Sequence, residues 1–433
     1  MDAAPDEDDE MTTRSYRLAA FGVALGAACF GAACGGGAGS AVAPPPGGRV
    51  PSPSPTASAS PSPTIDPSAK IRHVVIILQE NRSFDNMFNG FPGADTVRTG
   101  KMSDGRTVAL TPVGLGSSRD LRHRHYTWWV SYDGGKMDGF DVDRNPLEQP
   151  TTPYEYVTQG DVQPYWDLAS RYTLADRMFQ SATSGSYPSH LYIVAAQSAL
   201  VIGDPGTAPW GCDSPRGTTV ALIGPNGKEL PGPFPCFSYP TLADRMDAAS
   251  VSWRFYTPSL DVNGGAWDSF DSFTQVRYGP DWTNDVVSPE TQVLQDIANG
   301  QLAQVTWIVP AFATSDHPGS HEGLGPQWVT SIVDAIGASP FWSSTAVFIT
   351  WDDWGGWYDH VPPAQLDQMG LGFRVPLIVV SPYARHGYVS HAQHEFGSIL
   401  RFTEEALKLP DLGQIDVRAD DLSDCFDFSQ TPA

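Results

Sequence analysis

The chain has 433 residues, of which 41% are hydrophobic and 11% aromatic, a composition that predicts a globular protein with a large buried core. Its formal net charge is −23, and without residues 1–34 it is still −19, from 43 acidic against 24 basic residues. So acidic a body argues against nucleic acid as a partner, and against an anionic lipid surface held by charge alone.

Residues 1–34 are predicted to be a signal region for export. The acidic stretch MDAAPDEDDE is followed by a short basic stretch from Met11 and by the small, apolar segment LAAFGVALGAACFGAAC at 18–34. An acidic front is unusual for a signal peptide, so we expect translation to start at Met11. The apolar segment is shorter than the roughly 20 residues of a membrane-spanning helix, which favours cleavage and a secreted or cell-surface protein. Cys34 is a candidate lipoprotein cysteine that would attach the chain to a membrane through lipid.

Residues 35–68 are rich in Pro, Ser and Gly and are predicted to be a partly extended linker, so the folded body should occupy 69–433. Outside the cell, where disulfides persist, Cys212 and Cys236 are expected to pair, because they flank a loop rich in Gly and Pro. Cys425 is then left over near the C-terminus.

Four short apolar runs in the body are predicted to be strands of one sheet. The first, at 73–78, is β-branched and does not alternate with polar residues, as in parallel strands that are covered on both faces. The others lie at 305–310, 344–351 and 375–381, and the residues 326–339 between two of them have one apolar helical face. Because strands and helices alternate, we expect a doubly wound α/β fold, with a mostly parallel sheet flanked by helices.

Two long regions, of about 85–175 and 200–285, have weaker patterning and many Gly, Asp and Trp residues. We expect them to be loop insertions that form the walls of a pocket.

Polar residues follow each predicted strand, which is where ligands gather in open α/β sheets. Glu80 and Asn81 follow the first strand, and Asp352 and Asp353 follow the third. Two adjacent carboxylates repel each other unless a cation or a proton neutralises them, and all four side chains could supply oxygen ligands to a hard metal ion. The alternative is a solvated acidic turn. The polar residues after the second and fourth strands are Thr314-Ser315-Asp316-His317 and Pro382-Tyr383.

Ser186 lies where a turn leads into a predicted helix. Pro188 suits the first turn of that helix, and the apolar run from Leu191 continues it. A hydroxyl beside the free N–H groups of a helix N-terminus is well placed to attack or hold a phosphate. The alternative is that Ser186 only caps the helix.

The histidines divide into candidates and others. His123 and His125 lie in DLRHRH, and His317 follows a strand, so these three are candidates for a site. His321, His360, His391 and His394 are expected to be structural or to support other residues.

Five motifs in this order, ENRSFDNMF, GKMDGF, GSYPSH, SDHPG and TWDDWGGWYDHVPP, resemble those of the bacterial phosphoesterase family that contains phospholipases C and acid phosphatases. The resemblance runs from about residue 72 to 405. It implies that 69–433 is a catalytic domain, that its fold is similar to that of alkaline phosphatase, and that its substrate is a phospholipid or a small phosphoester.

The resemblance also implies a site. Glu80, Asn81, Asp352 and Asp353, completed by the nucleophile Ser186, match the family's metal ligands, and the ion would be Mg, Mn, Ca or Zn. His123 and His317 match the histidines that contact phosphate, although His125 is close enough to His123 to leave the register between them open.

The implied reaction is attack of Ser186 on phosphorus with release of the alcohol, followed by hydrolysis of the phosphoserine. His317 would protonate the leaving oxygen, and His123 would hold a phosphoryl oxygen.

The sequence departs from the family pattern in two places. Ser189 stands where Asn is frequent, which changes the side chain expected to support the nucleophile. Asp353 stands where Glu is common, and its shorter side chain would alter the distance to the metal.

Three other interpretations stay open. A sulfatase is one, although His190 stands where the sulfatase signature has Arg. A surface-anchored binding protein that has lost the chemistry is another. A phosphodiesterase could instead hold choline in an aromatic cage, for which the candidates are Trp128, Trp129, Trp354 and Trp357.

Overall fold

The computed structural model of the protein describes residues 66–432. The predicted signal region at 1–34, with Met11 and Cys34, and the linker up to residue 65 lie outside the described residues. Within the described range, no helix is long and apolar enough to cross a membrane.

The strands are numbered along the chain. They are β1 (His73–Gln79), β2 (Thr99–Lys101), β3 (Thr107–Ala109), β4 (Thr111–Val113), β5 (Glu155–Val157), β6 (Thr173–Ala175), β7 (Met178–Phe179), β8 (Ala221–Ile223), β9 (Glu229–Pro231), β10 (Trp253–Tyr256), β11 (Val286–Val287), β12 (Val305–Ile308), β13 (Thr345–Trp351), β14 (Leu377–Val380), β15 (Tyr388–Ser390) and β16 (His394–Glu395).

The α-helices are numbered in the same way. They are α1 (Phe84–Met87), α2 (His125–Tyr132), α3 (Gln163–Arg171), α4 (Ser186–Ala195), α5 (Leu242–Ala249), α6 (Thr274–Arg277), α7 (Asp281–Asn284), α8 (Gln292–Ala298), α9 (Gly325–Gly337), α10 (Phe396–Leu407) and α11 (Ile415–Arg418).

Eight strands form the central sheet, in the order β11-β10-β12-β1-β13-β14-β6-β15. Neighbouring strands pair in parallel except at β14, which is antiparallel to both β13 and β6. Helices flank the sheet in two groups, α3, α8 and α9 in one and α4, α5, α10 and α11 in the other. The predicted α/β class with a mostly parallel sheet is therefore confirmed.

The four predicted strands are all present, as β1, β12, β13 and β14. The apolar face predicted within 326–339 is also present, because its large side chains are buried along α9. However, β14 runs against its neighbours, so Pro382 and Tyr383 leave the sheet at the edge opposite to the residues that follow β1 and β13. They belong to no common site with those residues.

The prediction that 85–175 and 200–285 are loop insertions is partly wrong. Residues 173–175 form β6 and residues 253–256 form β10, both of which are strands of the central sheet. Trp253, Phe255 and Tyr256 are buried there. A strand of three or four residues is too short to show a clear pattern in the sequence.

The remainder of the first region builds a small second core. Trp128, Phe140 and Tyr154 pack there with Trp354 and with other apolar side chains. The aromatic cage is not supported by this packing, because Trp128, Trp354 and Trp357 are each 0% exposed, whereas Trp129 is 45% exposed. The rings of Trp128, Trp354 and Trp357 therefore fill space in the interior and do not line an open pocket.

The cysteines of the body behave as predicted. Cys212 and Cys236 form a disulfide, and Cys425 is free and buried.

Candidate active site

The edge of the sheet at which β1 and β13 end brings the first four candidates together. The two strands are parallel and pair Gln79 with Trp351, so the residues that follow, Glu80 and Asp352, emerge side by side. The backbone N–H of Asn81 donates a hydrogen bond of 2.7 Å to Asp352 Oδ1. All four of these side chains, Asp353 included, are fully buried.

Asn81 has a left-handed backbone conformation, with φ of 58°, which is uncommon for a residue other than glycine. The turn after β13 packs against it so closely that a Cβ atom at Gly355 would lie 2.0 Å from Asn81 O. Gly355 itself has φ of +63°, and Gly356 has φ of +79°. The Gly pair in this motif therefore does more than bend the chain, since it permits the contact between the two strand ends.

Ser186 is the first residue of α4, and its hydroxyl points to the strand ends. Its Oγ donates to Asp353 Oδ2 at 3.1 Å and accepts from Asn81 Nδ2 at 3.4 Å. The N-cap position belongs to Gly185, and the Ser186 side chain makes no capping hydrogen bond. The alternative role of Ser186 as a helix cap is therefore excluded.

The two neighbouring histidines have different surroundings. His123 Nε2 lies 2.7 Å from Asn81 Nδ2, and its Nδ1 donates to Leu121 O at 2.6 Å. His125 points away from these groups, because its Nδ1 bonds Thr183 O at 2.6 Å and its Nε2 accepts from Trp129. Of the two, His123 is the histidine that the fold brings to the site.

His317 follows β12, the other neighbour of β1, and lies at the same edge of the sheet. Its ring stacks on Trp267, with ring centroids 5.7 Å apart, and its Nδ1 bonds Pro318 O at 2.6 Å. Burial lowers the pKa of His317, although the negative charge of Asp120 acts in the opposite direction. The bond to Pro318 leaves Nε2 as the nitrogen that can act on a substrate.

His190 belongs to the site and was not among the predicted site residues. Its Nε2 lies 2.9 Å from Glu80 Oε1 and 3.8 Å from Asp352 Oδ2, so that the three residues could hold one metal ion. Burial lowers the pKa of His190 to about 4, so its contact with Glu80 is a hydrogen bond of a neutral imidazole. A signal for it exists in the sequence, because Ser186 and His190 are four residues apart and lie on the same face of a helix.

Asp204 is a second residue that the sequence did not indicate. It is exposed, it accepts the Tyr187 N–H at 2.9 Å at the start of α4, and its Oδ2 would lie 3.6 Å from a Cβ atom at Gly185. It adds a further negative charge to the rim of the site.

The charges of this cluster require a counterion or protons. Burial, with the negative charge of Asp352 next in importance, raises the pKa of Glu80 and of Asp353 well above the usual range of a carboxyl group. Several buried polar atoms also have no hydrogen-bond partner, namely Glu80 Oε2, Asn81 Oδ1, Asp352 Oδ2 and His190 Nδ1. Orphaned oxygen atoms around crowded carboxylates are what a divalent cation would satisfy, so these residues fit a metal site.

The chain is similar in sequence to known phosphoesterases. The family model described as the phosphoesterase family matches residues 71–410. Hemolytic phospholipase C of Pseudomonas aeruginosa is 27% identical over 402 residues, which cover 77% of this chain and 52% of that protein. Phospholipase C A of Mycobacterium tuberculosis is 27% identical over 384 residues, which cover 73% of this chain and 68% of that protein. The chain thus spans about half the length of the Pseudomonas relative.

Among solved structures, a protein in the alkaline phosphatase superfamily from Vibrio parahaemolyticus is 11% identical, at a TM-score of 0.40 over 85% of this chain and 75% of that one.

Proposed function

The chain belongs to the phosphoesterase family, and from this premise we propose that it hydrolyses phosphate esters with Ser186 as the nucleophile. The observation that carries the proposal is the position of the Ser186 hydroxyl, which is the first hydroxyl of α4 and lies 3.1 Å from Asp353 among the buried carboxylates that follow β1 and β13. The family's phospholipase C members support a phosphoester as the substrate class.

A divalent metal ion would be held by Glu80, Asn81, Asp352, Asp353 and Ser186, and the neighbouring His190 would add a nitrogen ligand. When bound, it would lower the pKa of the serine hydroxyl and offset the negative charge on the phosphoryl oxygens. A set of oxygen ligands with one imidazole is compatible with Mg, Mn, Ca or Zn.

The chain's own residues then account for the steps. Ser186 Oγ passes its proton to Asp353 Oδ2, to which it is hydrogen-bonded, and forms a bond to phosphorus as the bond from phosphorus to the alcohol oxygen breaks. His317, with a proton on each ring nitrogen, gives the Nε2 proton to the leaving oxygen, and His123 holds a phosphoryl oxygen. Water then attacks phosphorus and gives a proton to His317 Nε2, while the bond from phosphorus to Ser186 Oγ breaks and Oγ takes back a proton from Asp353.

The named relatives favour a phosphodiester of the phospholipid type over a monoester. The aromatic side chains do not decide the question, because three of the four candidate rings for choline, those of Trp128, Trp354 and Trp357, are buried. We also propose that residues 1–34 direct export and that Cys34 carries lipid. The enzyme would then act outside the cell, where it could reach phospholipid.

The test compares hydrolysis of p-nitrophenyl phosphate and p-nitrophenyl phosphorylcholine by the purified chain, with Ser186→Ala as the blank. We expect turnover of the diester above the blank, and its loss when divalent ions are chelated. Preference for the monoester would indicate an acid phosphatase. Activity equal to the blank on both substrates would favour a binding protein that has kept the fold without the chemistry.

A further inference from the structure

A largely buried cluster of potential metal-binding side chains lies outside the proposed active site, where the C-terminal segment that follows α11 meets β16 of the two-stranded β7-β16 sheet. His394 comes from β16, and Asp424 and Cys425 come from the C-terminal segment. His394 is 1% exposed and Cys425 is 0% exposed, so this thiol and this imidazole are enclosed in the protein.

The donor atoms of the three residues have the spacing of ligands around one ion. His394 Nε2 lies 3.6 Å from Asp424 Oδ1 and 4.0 Å from Cys425 Sγ. Cys425 Sγ lies 3.6 Å from Asp424 Oδ1. Tetrahedral zinc with bonds of about 2.0–2.3 Å separates its ligand atoms by roughly 3.3–3.8 Å, so the cluster needs only a small contraction to close around zinc.

The other nitrogen of His394 is held by a carboxylate. Nδ1 lies 2.8 Å from Asp420 Oδ2, and Asp420 is itself fixed by hydrogen bonds from Ser398 Oγ and from the Leu422 N–H. A histidine that binds a metal through one nitrogen almost always donates the other N–H to such a partner, which sets the ring orientation. Here that arrangement directs Nε2 to Asp424 and Cys425.

We propose that His394, Asp424 and Cys425 bind a zinc ion that fastens the C-terminal segment to β16. The Cys425 thiol gives up its proton on binding, so the thiolate and the Asp424 carboxylate together balance the charge of Zn²⁺. Ser390 Oγ donates a hydrogen bond to Asp424 and lies 3.0 Å from His394 Nε2, so a further oxygen atom is next to the cluster. This site is independent of the proposed phosphoesterase function, and its thiolate distinguishes it chemically from the oxygen-rich site around Ser186.

The competing explanation is a network without metal, in which the His394 ring bridges Asp420 and Asp424 through its two nitrogen atoms. The two explanations differ in one measurable property, because only the metal site bonds a cation to sulfur.

Cobalt tests this property, because Co²⁺ bound to a thiolate has a sulfur-to-metal charge-transfer band in the near ultraviolet, and Co²⁺ bound to oxygen and nitrogen alone does not. The starting protein is the full chain with Cys29→Ser and Cys34→Ser, so that Cys425 is its only thiol outside the Cys212–Cys236 disulfide. We expect a band that saturates as Co²⁺ is added, with an intensity that corresponds to one thiolate ligand per chain, and that Zn²⁺ removes.

The variants assign the ligands. Cys425→Ser should abolish the band, Asp420→Asn should weaken Co²⁺ binding about 10- to 100-fold, and Ser186→Ala, in the other site, should leave the band unchanged. Absence of the band in the starting protein would overturn the proposal without any need for a Cys425 variant to fold. A band that persists in Cys425→Ser would overturn it as well.

Discussion

The hydroxyl of Ser186 is held by side chains from two other segments, Asn81 after β1 and Asp353 after β13. Ser186 is only 4% exposed, so removing its oxygen changes little of the surface and no capping bond. We expect Ser186→Ala to fold normally and to lose about 10⁴-fold or more of the phosphoesterase rate, because a nucleophile has no substitute.

The matched control for this prediction is Ser189→Ala. The Ser189 hydroxyl lies on the same helix and donates to Gly185 O at 3.1 Å. This variant should keep its rate within about tenfold of the unsubstituted chain, since no atom of the proposed reaction is removed. Equal losses in the two variants would show that the helix, and not the Ser186 hydroxyl, limits the rate.

His190 lies beside Glu80 and Asp352, within reach of the proposed metal ion. If its imidazole contributes to the metal site beside Glu80 and Asp352, His190→Gln should weaken binding of a divalent ion by at least about tenfold. Isothermal titration of the ion measures this directly and does not depend on turnover. His391→Gln is the control, because His391 is 59% exposed and pairs with Asp176 away from the site. Unchanged ion affinity in His190→Gln would remove His190 from the ligands.

At the scale of elements, the site depends on how closely the turn after β13 approaches the end of β1. A Cβ atom at Gly355 would lie 2.0 Å from Asn81 O and 2.6 Å from Asn81 C, and backbone atoms cannot move aside as a flexible side chain can. We therefore expect Gly355→Ala to reduce the free energy of unfolding by about 2–4 kcal/mol and to abolish most activity. Chemical denaturation and the ester assay measure the two effects.

Gly134→Ala separates backbone strain from collision. Gly134 has φ of +64°, nearly that of Gly355, but nothing lies within 4 Å of the position of its Cβ atom. This variant should lose only about 1 kcal/mol, which is the cost of a left-handed conformation. If the two variants lose the same stability, the contact between Gly355 and Asn81 has no energetic importance.

At the scale of the whole molecule, the helix α10 carries a carboxyl group that links global stability to pH. Glu404 is 4% exposed, its Oε1 has no hydrogen-bond partner, and burial together with Asp416 and Asp411 raises its pKa to about 8. Between its unfolded pKa near 4.5 and this value the folded chain binds more protons than the unfolded chain. The contribution of Glu404 to stability is therefore full below about pH 4.5 and is lost as the pH rises to about 8.

Glu404→Gln should consequently raise the free energy of unfolding above that of the unsubstituted chain by more at pH 8 than at pH 5. We expect the difference between the two pH values to be about 1–3 kcal/mol. Urea unfolding at several pH values measures the difference. Glu405→Gln is the control on the next residue, because Glu405 lies at the surface and pairs with Arg401. A stability difference that does not vary with pH would show that Glu404 is ionised equally in the folded and unfolded chains.

The sequence by itself determined the class of the sheet and most of the residues at its edge. The runs that became β1, β12, β13 and β14 are apolar because both faces of a central sheet are covered, and this property is local enough to be read directly. Glu80 and Asp352 could also be predicted from the sequence as site residues. They directly follow buried strands, and in open α/β sheets ligands bind where such strands end.

Only the tertiary structure decided the remainder, because each of those features depends on atoms far apart in the chain. The direction of β14 could not be predicted from its residues, since the apolar run Leu377–Val380 could pair with a parallel or an antiparallel neighbour equally well. His123 and His125 are two residues apart and chemically identical, and only the contacts with Asn81 and Thr183 distinguish them. His190 became a candidate ligand when α4 packed against the end of β1, and Cys425 met His394 when the C-terminal segment folded back on the sheet. Local patterns determine elements, whereas the partners of a buried polar group are set by packing over long separations in sequence.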